Sequence, residues 1–439
     1  MIFKSKKSFL TVLVIMTLSI FCFFGMSRVY SHASLVTSNA ENKVDASNNM
    51  ISIMLETSAG SGDYTVSSLS SFPTTGYTYN ENLSYCENGS TLTWNKTNKN
   101  LAINTSKTDK CYVYFDVAPP KFSDYFINGS NLASSITNYA DAAGSSNSKI
   151  YHHDSSLTNG AGDNSYRYSG ADPNNYVCFG TNATPCPTDN LYRIIGVFGD
   201  KVKLIKYDYA TSALLGTDGD YIGSGTPDAE NYKGSLTTIS TYYWNYKADT
   251  TINSGHGSNT WSTSLLNKTN LNTNFITNIG TEWANKIATT TWKVGGNTYA
   301  NIYNVVPART YQNEIVNPVA TNTTDNATEY PAKIGLMYAS DYGFAADPSA
   351  WTTTLSKYNG SVNGSTIKSL NWMYMGGRNE LTISRNSGVA DFVFYVGDTG
   401  YVSNNYASSK RVVRPSFNLE SSVTYVSGSG SADDPIRIN

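Results

Sequence analysis

Residues 368–439 read KSLNWMYMGGRNELTISRNSGVADFVFYVGDTGYVSNNYASSKRVVRPSFNLESSVTYVSGSGSADDPIRIN, and the middle of this stretch decides the fold. Phe392, Phe394 and Val396 alternate with Val393 and Tyr395, Gly397-Asp398-Thr399-Gly400 supplies a turn, and Tyr401-Val402 starts back. That is the pattern of a β-hairpin. Leu381-Thr382-Ile383-Ser384 predicts a strand before it. Arg411–Leu419 predicts another, with Pro415 at a strand boundary, bulge or edge because proline has no amide hydrogen to give a ladder.

The order Trp372, Gly376-Gly377-Arg378, the Leu381–Ser384 strand, the hairpin turn, Val413-Arg414-Pro415-Ser416-Phe417 and Gly428-Ser429-Gly430 resembles a bacterial family of uncharacterised extracellular domains. Asn174-Asn175-Tyr176-Val177 followed by Tyr192–Phe198 resembles the same family's opening strands. Those domains are similar to the C-type lectin-like fold shared with formylglycine-generating enzymes and the variable proteins of diversity-generating retroelements. The resemblance covers roughly the last two-thirds of the chain and implies a lectin-like domain, but one fold hosts many functions.

Outward from this stretch, composition narrows the class. Only 15% of the 439 residues are charged and the net charge is −2, which gives no electrostatic attraction to nucleic acid. Thirty-three tyrosines beside 34 glycines, with Asn, Ser and Thr crowding the loops, fit a β-rich extracellular protein. Lys4, Lys6 and Lys7 precede an apolar run from Phe9 to Met26, and Ser31-His32-Ala33 offers small residues for cleavage. Residues 1–33 therefore read as a signal peptide, or as an uncleaved N-terminal anchor in the cytoplasmic membrane, with the rest outside the cell.

Met50–Leu55 is almost continuously apolar and predicts a strand buried on both faces. Tyr77–Tyr79, Leu92–Trp94, Leu101–Ile103 and Cys111–Phe115 complete a small β-sandwich-like module over residues 40–117. Cys86 and Cys111 are expected to pair in an oxidising compartment, as are Cys178 and Cys186. Pro119-Pro120 falls in a linker over residues 118–149, rich in Asn, Ser, Ala and Gly, and a domain over 150–439 follows. Within that domain Ile194–Phe198, Gly199-Asp200 and Val202–Leu204 predict a hairpin with Lys201 and Lys203 on its wet face. Thr260 or Ser262 is expected to cap a helix carrying Trp261, Leu265 and Leu266, and Thr281 a second with Trp283 and Ile287. Lys333–Tyr338 predicts a buried strand, and Ser340-Asp341-Tyr342 a turn or short helix. The fold class expected is mainly β with an α+β C-terminal domain: a small disulfide-stapled β-sandwich-like module, then a C-type lectin-like domain.

Chemistry is sparse. The formylglycine-generating relatives depend on cysteines in their C-terminal core, and this chain has none after Cys186. His152, His153 and His256 would all have to meet to make a histidine metal site, and His152 and His153 read as exposed loop residues. Asp218-Gly219-Asp220 lacks the further oxygen ligands of a calcium loop. No catalytic residue, metal or cofactor is assigned. Glu314, Glu329 and Asp341 are the carboxylates available to a glycosidase alternative, a carbohydrate-active hydrolase, and a purely structural surface role is the other alternative.

The favoured expectation is a non-catalytic recognition or adhesion role. Its partner would be an extracellular glycan or protein, with a membrane contact through the N-terminal segment if that is uncleaved. Trp372, Tyr374, Arg378 and Asn379 are the ligand-binding candidates, because aromatic faces stack on sugars and peptides while Arg and Asn donate hydrogen bonds. Gly376-Gly377 would let the backbone turn sharply among them. For Arg414, beside Pro415, a structural role satisfying neighbouring acceptors is expected.

Overall fold

The computed structural model describes residues 50–58, 60–69, 71–73, 76–104, 108–118, 121–124, 150–225, 238–250, 255–318 and 328–439. The expected signal or anchor at 1–33 lies outside the described residues. No helix among them is long and apolar enough to cross a membrane. The chain is mainly β, in several small sheets, and divides into the units Met1–Pro119 and Pro120–Asn439.

In the first unit the apolar run forms β1 (Met50–Glu56), followed by β2 (Tyr64–Val66), β3 (Tyr77–Cys86), β4 (Thr91–Asn95), β5 (Asn100–Asn104) and β6 (Lys110–Val117). Four of these make a sheet in the order β2-β1-β6-β3, with β1 and β6 parallel at its centre. Strand alternation puts Ile51, Ile53, Val113 and Phe115 on one face. The β4–β5 hairpin closes that face with Leu92, Trp94, Leu101 and Ile103, and Trp94 meets Phe115 edge-on at 5.3 Å. Cys86 and Cys111 stand opposite each other across β3 and β6, and they are joined.

The second unit starts earlier than expected. Phe122, assigned from sequence to the linker, is buried in this unit's core, and its amide donates to Val423 O at 2.7 Å. Strands β7 (Ile150–His152), β8 (Tyr166–Tyr168), β9 (Tyr176–Cys178), β10 (Leu191–Phe198) and β11 (Lys201–Lys206) follow. With Ser416–Asn418 and Ile334–Gly335 they form a seven-stranded sheet, and Pro415 stands just before its strand as its missing donor requires. The β10–β11 hairpin turns at Gly199-Asp200, and Cys178 is joined to Cys186. A second, antiparallel sheet contains Glu380–Arg385, Phe392–Val396 and Val402–Tyr406, the hairpin read from the sequence.

Between the sheets lies the helix Ala339–Ala345, every residue of which is buried. It reaches the first sheet through Asp341 and the second through Ala339 N to Ser384 Oγ and Tyr342 OH to Gly400 O. This helix overturns the expected wet face of β11: Lys203 is only 4% exposed because Asp341 covers it. Alternation marks which residues share a face, not what later packs on that face.

The middle helix also starts later than predicted. Trp261 precedes it, and Leu266–Phe275 is wound as a π-helix, with Ser264 Oγ accepting from Asn267 N at 3.1 Å. The wide turn suits side chains that return five residues, as Asn272 Nδ2 does to Asn267 O and Thr273 Oγ1 to Lys268 O. Thr281 is the first residue of its helix, Thr281–Ala284, rather than its cap, and Ile287 follows the helix into the core.

Candidate functional site

The loop 371–379 leads into strand Glu380–Arg385. Trp372 anchors it and offers no stacking face. The side chain is 4% exposed, its indole nitrogen donates to Tyr168 O at 2.9 Å, and the Arg193 guanidinium lies 4.8 Å from its ring. The expected role of Trp372 as an exposed aromatic contact is therefore corrected: the ring is core, buried against β8 and β10. Met375 is buried with Tyr209, Ile239 and Val412, and Tyr209 OH donates to Gly376 O at 3.0 Å. Gly376 and Gly377 adopt φ of 80° and 67°, the left-handed turn a side chain would resist.

Beyond that turn the other three candidates come together. Tyr374, Arg378 and Asn379 are all half-buried. Tyr374 OH donates to Asp398 O, and Asp398 N donates to Asn379 Oδ1 at 3.0 Å, so the hairpin turn and the loop hold each other. Lys368 lies 6.0 Å from the Tyr374 ring. Gly397 lets the Tyr401 ring lie over the turn, since a Cβ there would come within 2.5 Å of it. The patch thus presents the Tyr374 and Tyr401 rings, the Asn379 carboxamide and the exposed Asp398 and Thr399, with the half-buried Arg378 next to Asn379 in the loop. Such a surface can stack on an apolar ring face while exchanging hydrogen bonds at its edge.

Several ionisable groups of the interior are engaged with one another or with nearby polar groups. Arg414 Nε and Nη2 donate to both oxygens of Glu380 at 2.7 and 2.9 Å and Nη2 also to Met373 O at 2.6 Å, the structural role expected for it. Arg167 meets Asp163 at 2.5 Å and Asp341 at 3.4 Å. Arg385, buried, donates to Val294 O. Glu314 accepts from Ser340 N at 2.7 Å and Ser384 Oγ at 2.6 Å, and burial, outweighing these bonds, pushes its carboxyl up to about 7. Glu329, by contrast, is exposed and pairs with Lys293. Asp220 accepts from Lys247 N and Leu266 N, bracing the start of the π-helix rather than a cation.

The histidines occupy three different surroundings. His153 is wholly buried, contrary to expectation: its Nδ1 accepts from Ala161 N at 3.0 Å, its ring abuts Phe344, and burial, then Arg167, drives its pKa down to about 2. His152 stacks on Tyr166, and His256 lies on Tyr406 with Nδ1 3.4 Å from Asp391. Among the described residues no three His, Cys, Asp or Glu side chains gather as a metal ion would need.

Sequence reasoning missed Lys203, Arg167 and the proximity of Glu314 to Asp341. The signal in the sequence was a single charged residue, Asp341, beside Ser340 in the otherwise apolar and aromatic segment 334–346. Against family models, curated proteins and solved structures, the chain finds no match.

Proposed function

We propose that this is an exported surface protein whose large unit is a lectin-like, non-catalytic recognition domain, taking an extracellular glycan or protein on the patch around Tyr374, Arg378 and Asn379. The observation that carries this reading is the reciprocal lock between the loop and the hairpin turn, Tyr374 to Asp398 O and Asp398 N to Asn379. It holds a polar and aromatic surface rigid, which reduces the entropic cost of binding. The lectin-like assignment is supported by the three-stranded antiparallel sheet and by Ile436 returning beside Tyr176–Cys178, which brings the C-terminal end of the unit back to one of its early strands. Export is supported by the two disulfides, which persist in oxidising compartments.

Glycan and peptide arrays probed with the full chain test the reading. Tyr374→Ala and Arg378→Ala are each expected to weaken capture by roughly 1–3 kcal/mol, the range for interface anchors, and Arg378→Ala to do so with the melting temperature unchanged. Array binding that is indifferent to both substitutions sinks the assignment of this patch.

A further inference from the structure

Strand β11 carries Lys203 under the helix Ala339–Ala345, where its Nζ lies 2.5 Å from Asp341 Oδ2. The two side chains are 5% and 0% exposed. The rings of Phe198, Trp292 and Tyr338 surround the amine at 5.5, 5.3 and 4.7 Å. Glu314 is held one residue from Asp341 by its bond to Ser340 N and is itself buried. An amine, a carboxyl group and a second buried carboxyl thus share a site walled by aromatic rings. We propose that Lys203 and Asp341 are joined as an intramolecular amide between Nζ and Cγ, formed when the unit folds.

The reaction balances within the pair. A proton passes from the Lys203 ammonium to the Asp341 carboxylate, the freed Nζ lone pair forms a bond to Asp341 Cγ, one Cγ–O bond breaks, and that oxygen leaves as water with the two protons the nitrogen has lost. An ammonium and a carboxylate together contain the atoms and charge of one neutral amide and one water, so no oxidant, reductant or other reagent enters. Two physical terms favour it. Buried ions each carry a desolvation cost of several kcal/mol, and condensation replaces two of them with a neutral group. Held in contact, the partners also react at effective molarities on the order of 10⁵–10⁸ M.

The surroundings select the leaving oxygen. Oδ2 accepts from Tyr338 N at 2.9 Å, whereas Oδ1 has only the 3.4 Å approach of Arg167. Loss of Oδ1 leaves Tyr338 N bonded and Arg167 still paired with Asp163. Burial, then Arg167, favours the neutral, nucleophilic amine of Lys203 over the opposing pull of Asp341. Glu314, with its carboxyl raised to about 7 by burial, takes up and returns protons during the exchange.

Trypsin mapping of the natively folded, then denatured and reduced, full chain tests this. The expected product is a branched peptide joining residues 202–206 to residues 334–357, one water lighter than the two together, with Lys203 uncleaved. Quantitative recovery of linear 334–357 and of cleavage after Lys203 overturns the proposal and leaves a plain buried ion pair. Lys203→Met must abolish the branch; because that variant leaves buried Asp341 with only the 3.4 Å approach of Arg167 for a counterion and so puts folding itself at stake, Glu314→Gln is the second variant. It is expected to keep the near-UV circular dichroism of the parent and to yield linear peptides. A branched product at parental yield in folded Glu314→Gln removes Glu314 from the reaction.

Discussion

The two units resolve the same physical problem differently. The first has six buried apolar side chains in its cluster, a disulfide across its central strands, and a carboxylate, Asp109, that collects Asn88 N, Ser90 N, Ser90 Oγ and Lys110 N at 2.6–3.0 Å. Its polar groups sit where the strands turn. The second unit, with a much larger core, places ions inside it: Arg414 on Glu380 and Arg167 on Asp163. The small core buries its few carboxylates only under several hydrogen bonds each and adds a covalent staple. A large one tolerates buried charge and gains a single arrangement of sheets and helix from it, the role such pairs play in some proteins.

This contrast breaks first at Arg414. Arg414→Met leaves Glu380 ionised and buried, and urea unfolding of the large unit is expected to show a loss of about 3–5 kcal/mol. The double variant Arg414→Met with Glu380→Leu should regain most of it, since both charges are then gone; a double variant as unstable as the single one would mean that packing, not charge, dominates there. Next in size is the staple. Replacing Cys86 and Cys111 by Ser opens a cross-link spanning 25 residues and should lower the stability of the small unit by ~3 kcal/mol, leaving the unfolding transition of the large unit in place.

The contrast also shows in pH, where the two units should respond with opposite signs. Glu314 has a folded pKa of about 7, above the unfolded value near 4.3, so the folded large unit holds a proton that the unfolded chain gives up. Its stabilising contribution is full below about pH 4.3 and is lost as pH rises through 7. Glu314→Gln should flatten that slope. In Asp109, desolvation raises the carboxyl but the hydrogen bonds from Ser90, Asn88 and Lys110 prevail and bring it down to about 2. The small unit therefore keeps this contribution above about pH 3.9 and loses it as pH falls through 2. Parallel titrations of unfolding, read by separate probes for each unit, check both slopes.

Local patterns carried much of this fold into view. The hairpins at 191–206 and 392–406 announce themselves by alternation around glycine turns, and the cysteine pairs by their place within one strand set. What stayed hidden depends on distant partners. Lys203 looks solvent-facing until Asp341, 138 residues later, is brought over it. Trp372 looks like a loop aromatic until Tyr168, 204 residues earlier, accepts its indole proton. His153 looks exposed in a polar segment, yet Phe344 and Trp351 enclose it from far along the chain. At the candidate site the Gly376-Gly377 turn marks the loop, while the bonds to Asp398 that give the loop its shape depend on the hairpin.

The return of Ile436 to Tyr176 and Cys178 sets a timetable for synthesis. The small unit has every strand it needs once Val117 has emerged, but β9 of the large unit waits for a neighbour some 260 residues downstream, and Phe122 waits for Val423. At ~5–20 residues per second that interval lasts on the order of tens of seconds, during which the second unit cannot close. Through that wait the apolar strands of the second unit stand uncovered, a state exposed enough to need shielding.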